Sequence, residues 1–237
     1  MAIQTNAADM HLHGSKAMGL RTSSPISISA WINADWSSGT RRSFVGIYGP
    51  ATDSLVDTPV TAAQLGTSGA GDLECWTWGG NSLVKTAMSS MTAYSGLWVF
   101  ITYTYDGSTH RLYLNGALLA TGTAIPTPGY LNQIYINGYP AGGISEVAAF
   151  QLSQYSLYVR TLSPDEILSI YAASGRRHGI TNGILGAFQF DELSQGTAVS
   201  LVTDVSGSGI PLTSLGIGPA MSYTFVNTLA NSNIRPV

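Results

Sequence analysis

The residues whose types and spacing could do chemistry are few: Asp72 with Glu74, His11 with His13, and Cys75. Glycoside hydrolysis needs two carboxyl groups flanking one bond. Asp72 and Glu74 fall on the same face of one strand, which is the minimum arrangement for such a pair. Asp165-Glu166 is better read as part of a helix cap. No Gly-x-Ser-x-Gly elbow, phosphate loop or dinucleotide fingerprint occurs. The reading is of a protein that is not an enzyme and has no catalytic set. His11 and His13 also share a strand face and are weak metal candidates, but no third or fourth ligand is evident and Leu12 points inward between them. The plainer reading is a solvated strand face with no metal. His110 and His178 read as surface residues. Cys75 sits between Glu74 and Trp76 without a basic neighbour, so it reads as a buried small hydrophobe. A single cysteine excludes an internal disulfide.

The aromatic residues could bind rather than react. Trp76 and Trp78 share a strand face with Glu74, while Trp36, Tyr48, Tyr94, Tyr139, Tyr155 and Tyr158 fall in loops or at strand ends. Exposed rings can stack on sugars or anchor a protein interface. The candidates for glycan or partner contact are Trp36, Trp76, Trp78, Tyr139, Tyr155 and Tyr158. For Trp76 and Trp78 a core position is the alternative. Trp31 and Trp98 are expected in the core.

Composition narrows the classes of partner. Of 237 residues only 10% are charged, against about 25% in an ordinary domain. The net charge is −3, and Lys16 and Lys85 are the two lysines. Such a chain makes a weak long-range field and is poorly suited to neutralising phosphates, which argues against nucleic acid. A charge-poor surface desolvates at lower cost, which suits contact with proteins or sugars. Apolar runs such as 97–101 are far too short to span a bilayer, and the first residues lack a Sec leader pattern.

The elements that must hold these residues are mainly strands. Ile26-Ser-Ile-Ser-Ala-Trp-Ile-Asn33 alternates apolar and polar residues. The 97–105 segment is β-branched and aromatic and stops at Asp106-Gly107, and 110–114 stops at Asn115-Gly116. Both dipeptides supply the positive φ that hairpin turns use, so 97–122 reads as three consecutive antiparallel strands. Further strands are expected at 41–48, 61–66, 72–78, 131–137, 144–151, 184–190 and 221–227. Ser163-Pro-Asp-Glu166 is a capping box opening a helix over about 163–174, closed by Gly175, that covers an edge or end of the sandwich.

Three stretches resemble the laminin-G-like, concanavalin A-like jelly roll. They are Ile26-Ser-Ile-Ser-Ala-Trp-Ile, then Trp98 to Gly107 with Leu112-Tyr-Leu-Asn-Gly116, then Gly143-Ile-Ser-Glu-Val147 running on to Leu162-Ser-Pro-Asp-Glu-Ile-Leu168 and Tyr171. The resemblance implies an all-β, two-sheet antiparallel sandwich in which Asp191-Glu192 ends a structural strand. The glycosidase strand of this fold, Glu-x-Asp-x-x-Glu, is not matched by Asp72-Leu-Glu-Cys-Trp-Thr. Ser145 stands where the family often has an acidic residue, which weakens an inherited calcium site. Leu185 to Glu192, followed by Asp204-Val-Ser-Gly-Ser-Gly209, resembles the family's opening strand yet follows the helix, as a circular permutation would produce. One jelly-roll domain over 1–220 is expected, with a C-terminal strand and arm over 221–237.

The expectation for function is a non-enzymatic structural or interaction protein. Domains of this kind occur in phage virion decoration and fibre-associated proteins. The chain would then bridge virion subunits through its loops and terminal arms, as a homo-oligomer on a virion assembled in the host cytoplasm. The alternative is a lectin-like module that binds glycans through loop aromatics, with or without calcium, and is extracellular by a non-Sec route.

Overall fold

A computed structural model describes residues 2–5, 11–37, 41–49, 61–68, 72–76, 82–86, 91–126, 128–138, 148–176, 178–191, 198, 201–215 and 222–224. The strands are β1 (Ala2–Gln4), β2 (His11–Arg21), β3 (Ile26–Ala34), β4 (Arg42–Gly49), β5 (Thr61–Thr67), β6 (Leu73–Trp76), β7 (Ser82–Thr86), β8 (Trp98–Tyr105), β9 (His110–Leu114), β10 (Ala117–Gly122), β11 (Tyr130–Ile136) and β12 (Phe150–Tyr158). The helix α1 (Pro164–Ala172) follows, then β13 (Ile184–Phe188), β14 (Leu201–Val202), β15 (Leu212–Leu215) and β16 (Ser222–Thr224).

They form two antiparallel sheets. The first has the order β10-β9-β8-β3-β12-β1-β16, with β13 also paired to β12. The second runs β14-β15-β2-β11-β4-β5-β6-β7. This is the expected all-β sandwich of concanavalin A-like type. Alternation along each strand sends Ile28, Ile32, Val99, Ile101 and Leu112 of one sheet against Phe44, Ile47, Leu65 and Ile134 of the other, all buried in one cluster. The turn at Asn115-Gly116 has φ of 51° and 85°, which is the two-residue hairpin that Asn-Gly favours. The late strands join the same sandwich: β13 pairs with β12, and β15 pairs with β2.

The structure departs from expectation in three places. Residues 150–158 are one strand, with a bulge at Gln154 where φ is 49°, so Tyr155 is inside a strand, while Tyr158 closes it at a strand end. The helix has its capping box as expected, but it covers the outer face of the first sheet rather than an edge. Ile167 and Ile170 pack there with Trp31, Phe100, Tyr113 and Tyr158. Trp31 is therefore buried, at 1% exposed, outside the inter-sheet core and under α1. His110 is fully buried, because it opens the inward face of β9, which continues with Leu112 and Leu114, and Tyr105 stacks on its ring.

A candidate carbohydrate-binding surface

Antiparallel registers bring four residues distant in sequence into one row across the first sheet. Gln4 pairs with Gln151, Gln151 with Asn33, and Asn33 with Trp98. The neighbouring row, Ile3, Leu152, Ile32 and Val99, points into the core. Because side chains alternate, the polar row must face outward. Gln4, Asn33 and Gln151 are half-buried and Trp98 closes the row at 9% exposed. Beside it, Ala34 and Asp35 leave β3 and Ser95 and Gly96 precede β8. Together with Ala149 and Phe150 these residues line an open depression of about 510 Å³.

The polar groups of this depression are held from behind. The Gln4 amide donates to the carbonyls of Thr5 at 2.7 Å and Phe150 at 3.2 Å, which leaves its Oε1 outward. Asn33 Nδ2 donates to the Gly96 carbonyl at 3.0 Å, leaving Oδ1. The Asp35 Oδ1 accepts from the Ser37 N–H at 2.9 Å, the Ser37 hydroxyl, and the Ser95 hydroxyl at 2.7 Å. Ser95 in turn accepts from the Trp36 N–H at 2.9 Å. Those donors, with a smaller contribution from the nearby Arg42 guanidinium, bring the Asp35 carboxyl down to about 2, so it is ionised across the physiological range. Arg42 itself donates to the Asp35 main-chain carbonyl. The Gln151 amide makes no hydrogen bond among the described residues. Three strands thus present a row of amides, with one carboxylate just past the end of β3.

Four of the six expected contact aromatics are buried instead. Trp36, Trp76, Tyr155 and Tyr158 are all buried, at 2%, 3%, 0% and 0% exposed, so their ring faces are spent on packing and cannot stack on a ligand. Trp36 meets Phe44 edge-on at 5.3 Å, and Tyr155 stacks on Phe188 at 5.6 Å. Trp76 lies beneath the Arg41 guanidinium at 4.7 Å. The Tyr158 hydroxyl donates to the Ile180 carbonyl at 3.1 Å. Of the four, only Trp36 touches the depression, through its main-chain bond to Ser95. Trp78 and Tyr139 lie outside the described residues. So do the side chains of His11 and His13, whose strand pairs His13 with Tyr135 and Thr213. Among the described residues no group of three or more His, Cys, Asp or Glu side chains could hold a metal ion.

The carboxylates considered for catalysis have structural partners. Glu74 is buried at 3% exposed, paired with Arg41 at 3.2 Å, and accepts from the Ser82 hydroxyl. Asp72 lies 3.6 Å from Lys85. Cys75 is a buried free thiol, and burial pushes its pKa far above the ordinary value. The residues that sequence reasoning missed are Gln4, Asn33, Asp35, Ser95 and Gln151. Amides on strand exteriors carry no motif, and pairing across 147 residues, from Gln4 to Gln151, has no local signature.

A family model described as the concanavalin A-like lectin/glucanases superfamily matches residues 6–168. Among curated proteins none matches significantly. A Bacteroides ovatus structure named "putative carbohydrate binding protein" is similar over 92% of this chain, at 15% identity and a TM-score of 0.60. The chain spans 59% of that protein's length. A Trypanosoma rangeli sialidase in complex with sialic acid is similar over 65% of the chain and 24% of its own, at 14% identity and a TM-score of 0.49. At such identities these likenesses concern the fold alone.

Proposed function

This chain belongs to the concanavalin A-like lectin/glucanases superfamily, and on that premise we propose that it is a non-enzymatic recognition module that binds carbohydrate. The observation that carries the reading is the row Gln4, Gln151 and Asn33 ending at Trp98, with Asp35 beside it. Side-chain amides and a carboxylate are the groups that pair with sugar hydroxyls, and a fixed array of them selects by geometry. The three amide side chains sit on strands, whose spacing is rigid, and Asp35 directly follows one.

The test is binding of the full chain to a panel of oligosaccharides, with and without chelator, followed by calorimetry on the hits. Gln151→Ala and Asn33→Ala should each weaken binding about tenfold or more, the first with thermal stability unchanged and the second with a small loss from its bond to the Gly96 carbonyl. Retention of no glycan at all, or binding indifferent to both changes, overturns the assignment.

A second reading is assembly on a phage virion surface through copies of this chain or other virion subunits. The observation favouring it is β16, which pairs with β1 and is the last strand in the order of the first sheet among the described residues. Edge strands are ready templates for pairing with another chain. A concentration-independent monomer in sedimentation, with no binding to assembled particles, removes this reading.

A further inference from the structure

The hydrogen-bond bookkeeping of the depression specifies the class of sugar, and this inference rests on the carbohydrate reading above. The donors of Gln4 are taken by the carbonyls of Thr5 and Phe150, and one donor of Asn33 by Gly96. The hydroxyls of Ser37 and Ser95 are both turned onto Asp35. What remains without a protein partner is mostly acceptors: Gln4 Oε1, Asn33 Oδ1 and the second oxygen of Asp35, against one leftover N–H of Asn33. The Gln151 amide can adapt to either role. Among the described residues, Asp35 is the one ionisable side chain lining the depression. The guanidinium that acts on it, Arg42, is 9% exposed and is bonded to the Asp35 main-chain carbonyl.

We propose that this depression recognises an amino sugar, with the protonated amine of a hexosamine unit against the free oxygen of Asp35 and ring hydroxyls donating to Gln4, Asn33 and Gln151. An ammonium on an ionised carboxylate is a charge-assisted hydrogen bond, about twice as strong as a neutral one. A surface of acceptors also discriminates by repulsion. A uronate or sialate carboxylate brought there meets like charge and unpaired acceptors. N-acetylation removes the charge from the amine, so an acetylated unit loses the Asp35 contribution and keeps only the hydroxyl contacts. Asp35 is ionised throughout the neutral range, so the pH dependence belongs to the ligand. Binding weakens as pH rises and the amine loses its proton, with no matching loss on mild acidification.

The experiment is calorimetry of the full chain with four probes: glucosamine oligomers, their N-acetylated counterparts, oligogalacturonate, and oligolysine as a cation without a sugar ring. The glucosamine oligomer is expected to bind about tenfold tighter than the acetylated one, and the uronate not measurably. Raising the pH past the amine pKa should erase that preference. Asp35→Asn, which preserves the shape of the side chain, should also bring the two oligomers to parity, with a circular dichroism melt to report folding. The comparison of ligands on the unaltered protein stands even if that variant fails to fold. Equal binding of acetylated and free-amine oligomers overturns the amino-sugar assignment while leaving glycan recognition intact. Tighter binding of oligolysine than of any sugar overturns it in favour of simple charge attraction. Binding of none of the four, with other glycans also negative, removes both this assignment and the carbohydrate reading.

Discussion

The Tyr103 hydroxyl lies 2.8 Å from Nδ1 of His110 inside the sandwich, and the other ring nitrogen of that histidine lies 2.8 Å from the Ala124 carbonyl. A carbonyl can only accept, so Nε2 carries the proton and Nδ1 receives the phenolic hydrogen. The ring is stacked on Tyr105 at 4.2 Å between centroids and 10° between planes. Burial holds the pKa of His110 below its ordinary value of 6.5, against smaller opposing effects from the Ala124 carbonyl and Asp106. One core residue thereby ties β9 to the loop after β10.

That arrangement makes stability depend on pH with a definite sign. The folded protein binds the His110 proton less readily than the unfolded chain does. Its contribution is therefore fully present above about pH 6.5 and is lost as pH falls below that value toward the folded pKa. His178 is shifted the same way by burial. Urea midpoints should fall between about pH 7.5 and about pH 5.5. His110→Phe should flatten the slope without abolishing it, while lowering stability at every pH by orphaning the Ala124 carbonyl. A midpoint that rises on acidification over this range contradicts the assignment.

The helix should detach from the first sheet when its cap is removed. The Ser163 hydroxyl accepts from the Glu166 N–H at 3.2 Å and the Glu166 carboxylate accepts from the Ser163 N–H at 2.9 Å. Arg160 reinforces the carboxylate at 2.6 and 2.8 Å, and that partner first, then the cap, brings the Glu166 pKa down to about 2. Ser163→Ala should cost about 0.5–2 kcal/mol. The Arg160 pair is partly exposed, so salt should screen it and its own contribution should be small. Trp31 under α1 reports the event, because its fluorescence should shift to the red as the helix loosens.

Gly66 and Gly179 should respond oppositely to alanine. A Cβ on Gly66 would stand 1.9 Å from the Arg42 carbonyl oxygen and 2.7 Å from the Trp76 ring, and a backbone atom on the paired strand cannot yield as a flexible side chain can. Gly66→Ala should destabilise by several kcal/mol, about 3 or more. At Gly179 nothing lies within 4 Å, so alanine there should change stability by less than about 0.5 kcal/mol. Chemical denaturation of both variants measures the contrast.

The Cys75 thiol should be silent in the folded state. It is wholly buried, its pKa is pushed up by desolvation, and it faces the Tyr103 phenol. A thiol-specific disulfide reagent should react only at the rate of global unfolding, and at once in denaturant. Rapid labelling of native protein would show that this part of the second sheet opens locally.

Binding at the row should be insensitive to the aromatics that sequence reasoning singled out. Tyr155→Leu and Tyr158→Leu should lower stability, since Tyr155 fills the inter-sheet core and Tyr158 the space under α1, and should leave glycan affinity within about twofold in protein that stays folded. A selective loss of binding by either variant would move the ligand away from Gln4, Gln151 and Asn33.

The parts of this protein legible in its sequence are those decided by neighbours along the chain. The strands at 26–34 and 98–105 announce themselves by alternation. The Asn115-Gly116 turn follows from a residue pair that tolerates positive φ, and the cap at Ser163 from four adjacent residues. Side-chain period within a strand was equally plain, but period alone does not say what covers each face. Both faces of the first sheet are covered in part, one by the second sheet and the other by α1, so Trp31 and Ile32, pointing opposite ways, are both buried. The long segment after 150 continues as a strand because it lies between β3 on one side and β1 with β13 on the other, and those partners come from three separate stretches. The depression beside Gln4, Asn33 and Gln151 exists only through such pairings. Sequence sets which residues can lie outward on their strands; registers between strands as far apart as Ala2 and Thr224 decide which of them meet, because a ladder is stabilised by contacts that no local segment contains.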